Sequence, residues 1–121
     1  MAAKILIASG ATPLRINTRK VLESKNYNVV RDATNQRELV VNYRAEHPDI
    51  VILDLNLAEN TIDIDIPIKN VLHVDPQAKI IALASNPDKT VILKTMQGGA
   101  KHFLPKPVDN DKLIDIISRL L

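Results

Sequence analysis

Short apolar runs rich in Ile and Val alternate along the chain with longer segments in which apolar residues recur at helical spacing, and the alternation repeats five times. Lys4 to Ala8 predicts a first strand. Pro13 to Lys25 predicts a helix with its proline in the first turn, where the missing N–H costs nothing. Tyr27 to Arg31 reads as a second, edge-like strand. Thr34 or Asn35 can cap the next helix, Glu38 offers a capping-box partner three residues after Asn35, and Leu39, Val40 and Tyr43 form its apolar stripe. Asp49 to Leu53 is a nearly unbroken apolar run, as a central parallel strand covered on both faces requires, and it leaves Asp54 at the strand's carboxyl end. The stretch Leu55 to Asp65 is mixed, and Pro67 predicts a third helix that starts late, near Asp65 or Ile66, and ends near Val74. Lys79 to Leu83 follows as the fourth strand. Asp88 to Gln97 predicts a fourth helix stopped by Gly98 and Gly99, Lys101 to Leu104 a fifth strand, and Asp109 to Leu121 a last helix with Leu113, Ile116, Ile117 and Leu120 at core spacing.

Strands alternating with helices through short connections imply parallel strands joined by right-handed crossovers. The expected fold class is therefore α/β, a doubly wound, open five-stranded parallel sheet with helices on both faces. Ligands of such sheets gather at the carboxyl ends of the strands. Here those ends are Ala8 to Thr12, Asp54 to Asn56, Ala84 to Asn86 and Phe103 to Pro107.

No Gly/Ser-rich or Pro-rich linker divides the 121 residues, so a single domain, 1–121, is expected. The apolar runs are too short to cross a bilayer and the start lacks a signal peptide's apolar region, which points to the cytoplasm and away from membranes. The absence of cysteine fits a reducing compartment. Net charge is only +2, the basic residues are scattered, and two tyrosines and one phenylalanine supply no stacking platform, which argues against nucleic-acid binding. His47, His73 and His102 match no metal-ligand spacing and read as surface or boundary residues.

The segments KILIASGATPLR, PDIVILDLNL, AKIIALASN and GGAKHFLPKPVDNDKL are specific in their order and spacing. Together they resemble the successive strand-end signatures of the receiver domain of bacterial response regulators, the CheY-like superfamily, over essentially the whole chain. The resemblance implies a flavodoxin-like sheet of order 2-1-3-4-5. It also implies that Asp54 stands at the phosphoacceptor position and that Lys106 contacts the phosphoryl oxygens, followed by a cis bond to Pro107. Phe103 takes the place of the aromatic switch residue, Ala84 that of the hydroxyl residue ending the fourth strand, and the carbonyl of Asn56 that of a metal ligand.

Three departures bear on chemistry. Ser9 and Gly10 replace the acidic pair that holds the metal, so Asp54 remains as the lone carboxylate and ordinary Mg²⁺ binding is expected to be lost or weak; no metal ligand and no cofactor is assigned. Ala84 cannot donate a hydroxyl, and alternation of faces is expected to turn Ser85 away from the site. Ala58 and Ile62 replace the proline and glycine usual after the acceptor. The favoured reading is a pseudo-receiver, not an enzyme: a two-component signalling module in which Lys106 pairs with Asp54. Its expected partners are a histidine kinase, an output domain or another signalling protein, or a second copy through the fourth helix, fifth strand and fifth helix. The alternative is a weakly active phosphoacceptor in a phosphorelay, using Asp54 with Glu59 or Asp63 repositioned to recruit the metal. A third reading makes the Ser9 to Thr12 turn an anion sensor.

Overall fold

Extended backbone recurs wherever the Ile/Val runs predict it. The computed structural model describes residues 2–58, 64–85 and 88–121. Five parallel strands, β1 (Lys4–Ala8), β2 (Asn28–Ala33), β3 (Ile50–Asp54), β4 (Ile80–Ser85) and β5 (His102–Lys106), form one sheet in the order β2-β1-β3-β4-β5. Helices α1 (Thr12–Ser24), α2 (Gln36–Glu46), α3 (Ile66–Val74), α4 (Lys89–Gln97) and α5 (Asn110–Leu120) connect or follow them, and a 3₁₀ turn, Leu55–Ala58, leaves β3.

Alternation along each strand divides the core into two layers. Ile5 and Ile7 of β1, Ile50 and Ile52 of β3, Ile81 and Leu83 of β4 and Leu104 of β5 pack against Leu22 of α1 and Leu113 and Ile117 of α5. The alternate residues Leu6, Ala8, Val51, Leu53, Ile80, Ala82 and Ala84 pack against Leu39 and Tyr43 of α2 and Ile68 and Val71 of α3, with Val91 of α4 at the margin. Every residue of β3 is buried, which is why its sequence shows no polar interruption before Asp54. Each fully buried Ile or Leu contributes about 1.5–3 kcal/mol of transfer free energy.

Helix starts follow their capping chemistry. The Asn35 side chain accepts from the Glu38 N–H, while the Glu38 carboxylate accepts from both the N–H and the hydroxyl of Thr34, each at 2.7 Å. The predicted box is thus displaced by one residue, because Thr34 offers two donors where the Asn35 backbone offers one. Those two bonds hold the Glu38 carboxyl below its ordinary pKa. Asp88 and Asp109 cap α4 and α5 through Val91 N–H and through Asp111 and Lys112 N–H. Pro67 lies in the first turn of α3, which begins at Ile66 as the proline requires.

Strands β2, β4 and β5 continue past Arg31, Leu83 and Leu104, the ends their apolar runs suggest. The pairs Ala8 with Ala33 and Ser85 with Lys106 show why: the backbone ladder persists where side chains have turned polar or small. Gly99 follows α4 with a φ of 116°, and a Cβ there would lie 2.4 Å from Leu72 Cδ1. Among the described residues, no helix is long and apolar enough to cross a membrane.

Candidate functional site at the carboxyl ends of the strands

The two-residue period that builds the α1/α5 layer of the core also assembles the site. Ser9 continues the series Ile5, Ile7; Asp54 continues Ile50, Ile52; and Lys106 follows Leu104. All three side chains therefore emerge on one face of the sheet, at the carboxyl edge where β1, β3 and β5 end.

Asp54 is buried, with 1% of its surface exposed, and both its oxygens are engaged. Lys106 Nζ lies 2.6 Å from Oδ1. The Asn56 backbone N–H donates to the same oxygen at 3.0 Å, and the Ser9 hydroxyl donates to Oδ2 at 2.7 Å. The anticipated pairing of Asp54 with Lys106 is thus present, with charge-assisted geometry. The Lys106–Pro107 bond is cis, as the family resemblance implies.

Ser9 plays a part that inspection of the sequence alone does not suggest. Fully buried, it bridges Asp54 and the following turn, because its Oγ donates to the carboxylate and accepts from the Ala11 N–H at 3.1 Å. Its own N–H donates to the Ala33 carbonyl at 2.8 Å. Three donors of the Ser9 to Thr12 turn are consequently committed within the protein, which weakens the turn as an anion receptor. Gly10 is exposed and adds no side chain.

Arg15 is the second residue missed at the sequence level. Its guanidinium donates to the Ser9 carbonyl at 2.8 Å and to Thr12 Oγ1 at 3.2 Å, with Asp32 Oδ2 3.6 Å from its Nε. Arg19 completes this cluster through a 2.6 Å bond to Asp32. An arginine three residues after a helix-initial Thr, beside an Asp late in an edge strand, is the only signal for it in the sequence, and it becomes legible once β1 and β2 are known to pair. The β1–α1 turn thus has two fixed cations nearby, one from α1 and one from β5.

The end of β4 corrects one expectation. Ala84 turns into the α2/α3 layer, but Ser85 pairs in register with Lys106 and shares the parity of Leu83, the partner of Asp54. Ser85 therefore lies on the face of the sheet that carries Asp54, where it is exposed, and is not turned to the opposite face. Alternation from Leu83, the in-register neighbour of Asp54, brings Ser85 to this face and Ala84 to the other. Phe103 is half-buried against the α2/α3 layer. Asn56 is exposed in the 3₁₀ turn and Ala58 closes it. Glu59, Ile62, Asp63 and Asn86 lie outside the described residues. His47 and His73 are exposed, and His102 is half-buried.

The family model for the response regulator receiver domain matches residues 5–118. The chain is 31% identical over 121 residues to the chemotaxis protein CheY of Thermotoga maritima, covering 99% of this chain and 98% of the relative. It is 30% identical to chemotaxis protein CheY of Bacillus subtilis, over 100% of this chain and 99% of the relative. Among solved structures, chemotaxis protein CheY4 of Vibrio cholerae superposes with a TM-score of 0.89 at 22% identity, covering 100% of both chains. The five-stranded fold, the match along nearly its whole length and the relatives agree: the chain belongs to the response regulator receiver domain family and is a CheY-like module of two-component signalling.

Proposed function

We propose that this receiver domain signals through protein contacts without the usual Mg²⁺-dependent phosphorylation, with Asp54 held in a standing ion pair. The observation that carries the reading is the occupancy of the Asp54 carboxylate: Lys106 Nζ at 2.6 Å, Asn56 N–H at 3.0 Å and Ser9 Oγ at 2.7 Å.

These donors do not fit a divalent cation. Mg²⁺ requires a near-octahedral oxygen shell and commonly one or two carboxylates. At the positions of the acidic pair stand Ser9, whose hydroxyl proton is directed at Asp54, and Gly10, which has no ligand to give. Lys106 balances the charge of Asp54, and Arg15 anchors the Ser9 carbonyl from the far side. A cation entering this edge would have to displace an ammonium from a buried carboxylate. Without it, the negative charge of a phosphoryl group in transfer lacks its main counterweight. The domain is accordingly read as a signalling module and not an enzyme.

Its partner-contact face is assigned to α4, β5 and α5, where Ile92, Leu93 and Met96 of α4 are exposed. A second copy of the chain is the simplest occupant, alongside a kinase, output domain or other signalling partner. The deciding experiment incubates the purified protein with a small-molecule phosphodonor, with and without Mg²⁺, followed by intact mass measurement and peptide mapping. The reading predicts no Mg²⁺-dependent phosphoryl adduct. An adduct on Asp54 that requires Mg²⁺ would support the phosphorelay alternative instead.

A further inference from the structure

Next to the phosphoacceptor site, α1 and the turn from β5 into α5 enclose a cleft of about 270 Å³, lined by Leu14, Asn17, Thr18, Lys106, Pro107, Val108 and Asn110. The volume is near the lower end for small-molecule sites. Leu14, Asn17 and Thr18 share one face of α1 by their spacing, and Lys106 to Asn110 form the opposite wall.

The Thr18 side chain makes this a built site. Thr18 is only 4% exposed, yet its hydroxyl has no hydrogen-bond partner among the described residues. A buried helical threonine ordinarily returns its hydroxyl to the carbonyl four residues earlier, as Thr95 of α4 does to Val91 at 2.7 Å. Thr18 does not, and it lines the cleft. Among the described residues, the buried side-chain atom that lacks a partner is Asp65 Oδ1; the Thr18 hydroxyl is instead open to the cleft, where a ligand can take up its free hydrogen bond. Asn17, Asn110 and Lys106 line the cleft with it, and no acidic side chain does. Donors therefore outnumber fixed acceptors, with Leu14, Pro107 and Val108 as an apolar complement.

We propose that this cleft binds a small organic oxyanion, a carboxylate or phosphate monoester with a short apolar portion, through Thr18, Asn17, Asn110 and Lys106. Lys106 is shared with the site above, because the same ammonium lies 2.6 Å from Asp54 Oδ1. An oxyanion in the cleft competes with Asp54 for that charge, so occupancy loosens the standing ion pair and carries a chemical signal to the strand ends without covalent modification.

The test titrates the ¹⁵N-labelled chain with benzoate and with phenyl phosphate, using benzyl alcohol and inorganic phosphate as comparisons. Saturable amide shifts are expected at Asn17, Thr18, Val108 and Asn110, followed by shifts at Asp54. Thr18→Val should weaken binding about tenfold, the loss of one good hydrogen bond, and Thr18→Ser, which keeps the hydroxyl, should retain it. The proposal is overturned if no shift saturates, if shifts centre on Gly10 to Thr12 instead, or if benzyl alcohol or inorganic phosphate binds as tightly as the organic anions. Unchanged affinity in a folded Thr18→Val protein, or a folded Thr18→Ser protein that no longer binds, would overturn it equally.

Discussion

Replacing Lys106 with methionine keeps most of the side chain's length and removes its charge, leaving Asp54 in a pocket where it is 1% exposed. Breaking a buried ion pair by deleting one partner costs about 3–5 kcal/mol, because the remaining charge is stranded. Two hydrogen bonds to the carboxylate persist, from Ser9 and from the Asn56 N–H, and the Lys106 side chain is itself 15% exposed, so water relieves part of the loss. The expected cost is therefore at the lower end, about 3 kcal/mol. A domain of this length has roughly 6–18 kcal/mol of stability, so the variant remains folded. Urea unfolding at neutral pH, followed by far-UV circular dichroism, should show a midpoint lowered by about 1–2 M. In Asp54→Asn/Lys106→Met, where no charge is stranded, most of that loss should be recovered, giving a coupling energy of about 2 kcal/mol. A Lys106→Met protein within about 1 kcal/mol of the parent, or additive single and double variants, would refute the claim that this pair is a desolvated, standing interaction.

Three further outcomes follow from the same structure. Ser9→Asp with Gly10→Asp restores two carboxylates beside Asp54; the double variant should be less stable than the parent without metal, and Mg²⁺ at a hundredfold excess over its Kd should raise its stability by about 2.7 kcal/mol, read as a shift in Tm. Tyr43→Phe removes the 2.6 Å bond from the buried Tyr43 hydroxyl to Asp75, which holds the Asp75 carboxyl below its ordinary pKa, while burial and that bond raise the phenol. Because the folded carboxyl titrates lower than the unfolded one, the bond's contribution is full above the ordinary carboxylate pKa and is lost as pH falls from there through the lowered pKa of the folded state; Tyr43→Phe should cost about 1 kcal/mol at neutral pH and less in acid, by urea titration at each pH. Gly99→Ala should cost about 1–2 kcal/mol in thermal unfolding, since φ is 116° and the new Cβ would meet Leu72.

The sheet and helices are legible in the sequence because each obeys a local rule: the unbroken apolar run of a strand buried on both faces in Ile50 to Asp54, the late start that Pro67 imposes on α3, the Asp88 and Asp109 caps. Placement of Asp54 and Lys106 on one face is equally a matter of counting in twos from Ile52 and Leu104. The same count applied to β4, through Ile81 and Leu83, puts Ser85 on that face, whereas a site-facing Ala84, as the family resemblance implies, would put it on the other. Side-chain bonds between elements are a different matter. That Ser9 would donate to Asp54, or that Arg15 would reach back to the Ser9 carbonyl, depends on rotamers chosen by packing among β1, β2 and α1, and no local pattern encodes them. Thr18 is hidden for a related reason: its helical position announces burial, but not that its hydroxyl is left unspent.

A strand-end edge whose Asp54 is already paired with an ammonium is mismatched to a divalent cation. Titration of the ¹⁵N-labelled protein with Mg²⁺ at neutral pH, observing the amides of Ser9, Gly10, Asp54 and Asn56, tests that directly. The predicted result is no saturable shift at millimolar metal, with the Ser9→Asp/Gly10→Asp variant responding under the same conditions. Saturable Mg²⁺ binding at these amides in the unaltered chain, with displacement of Lys106 from Asp54, would contradict it.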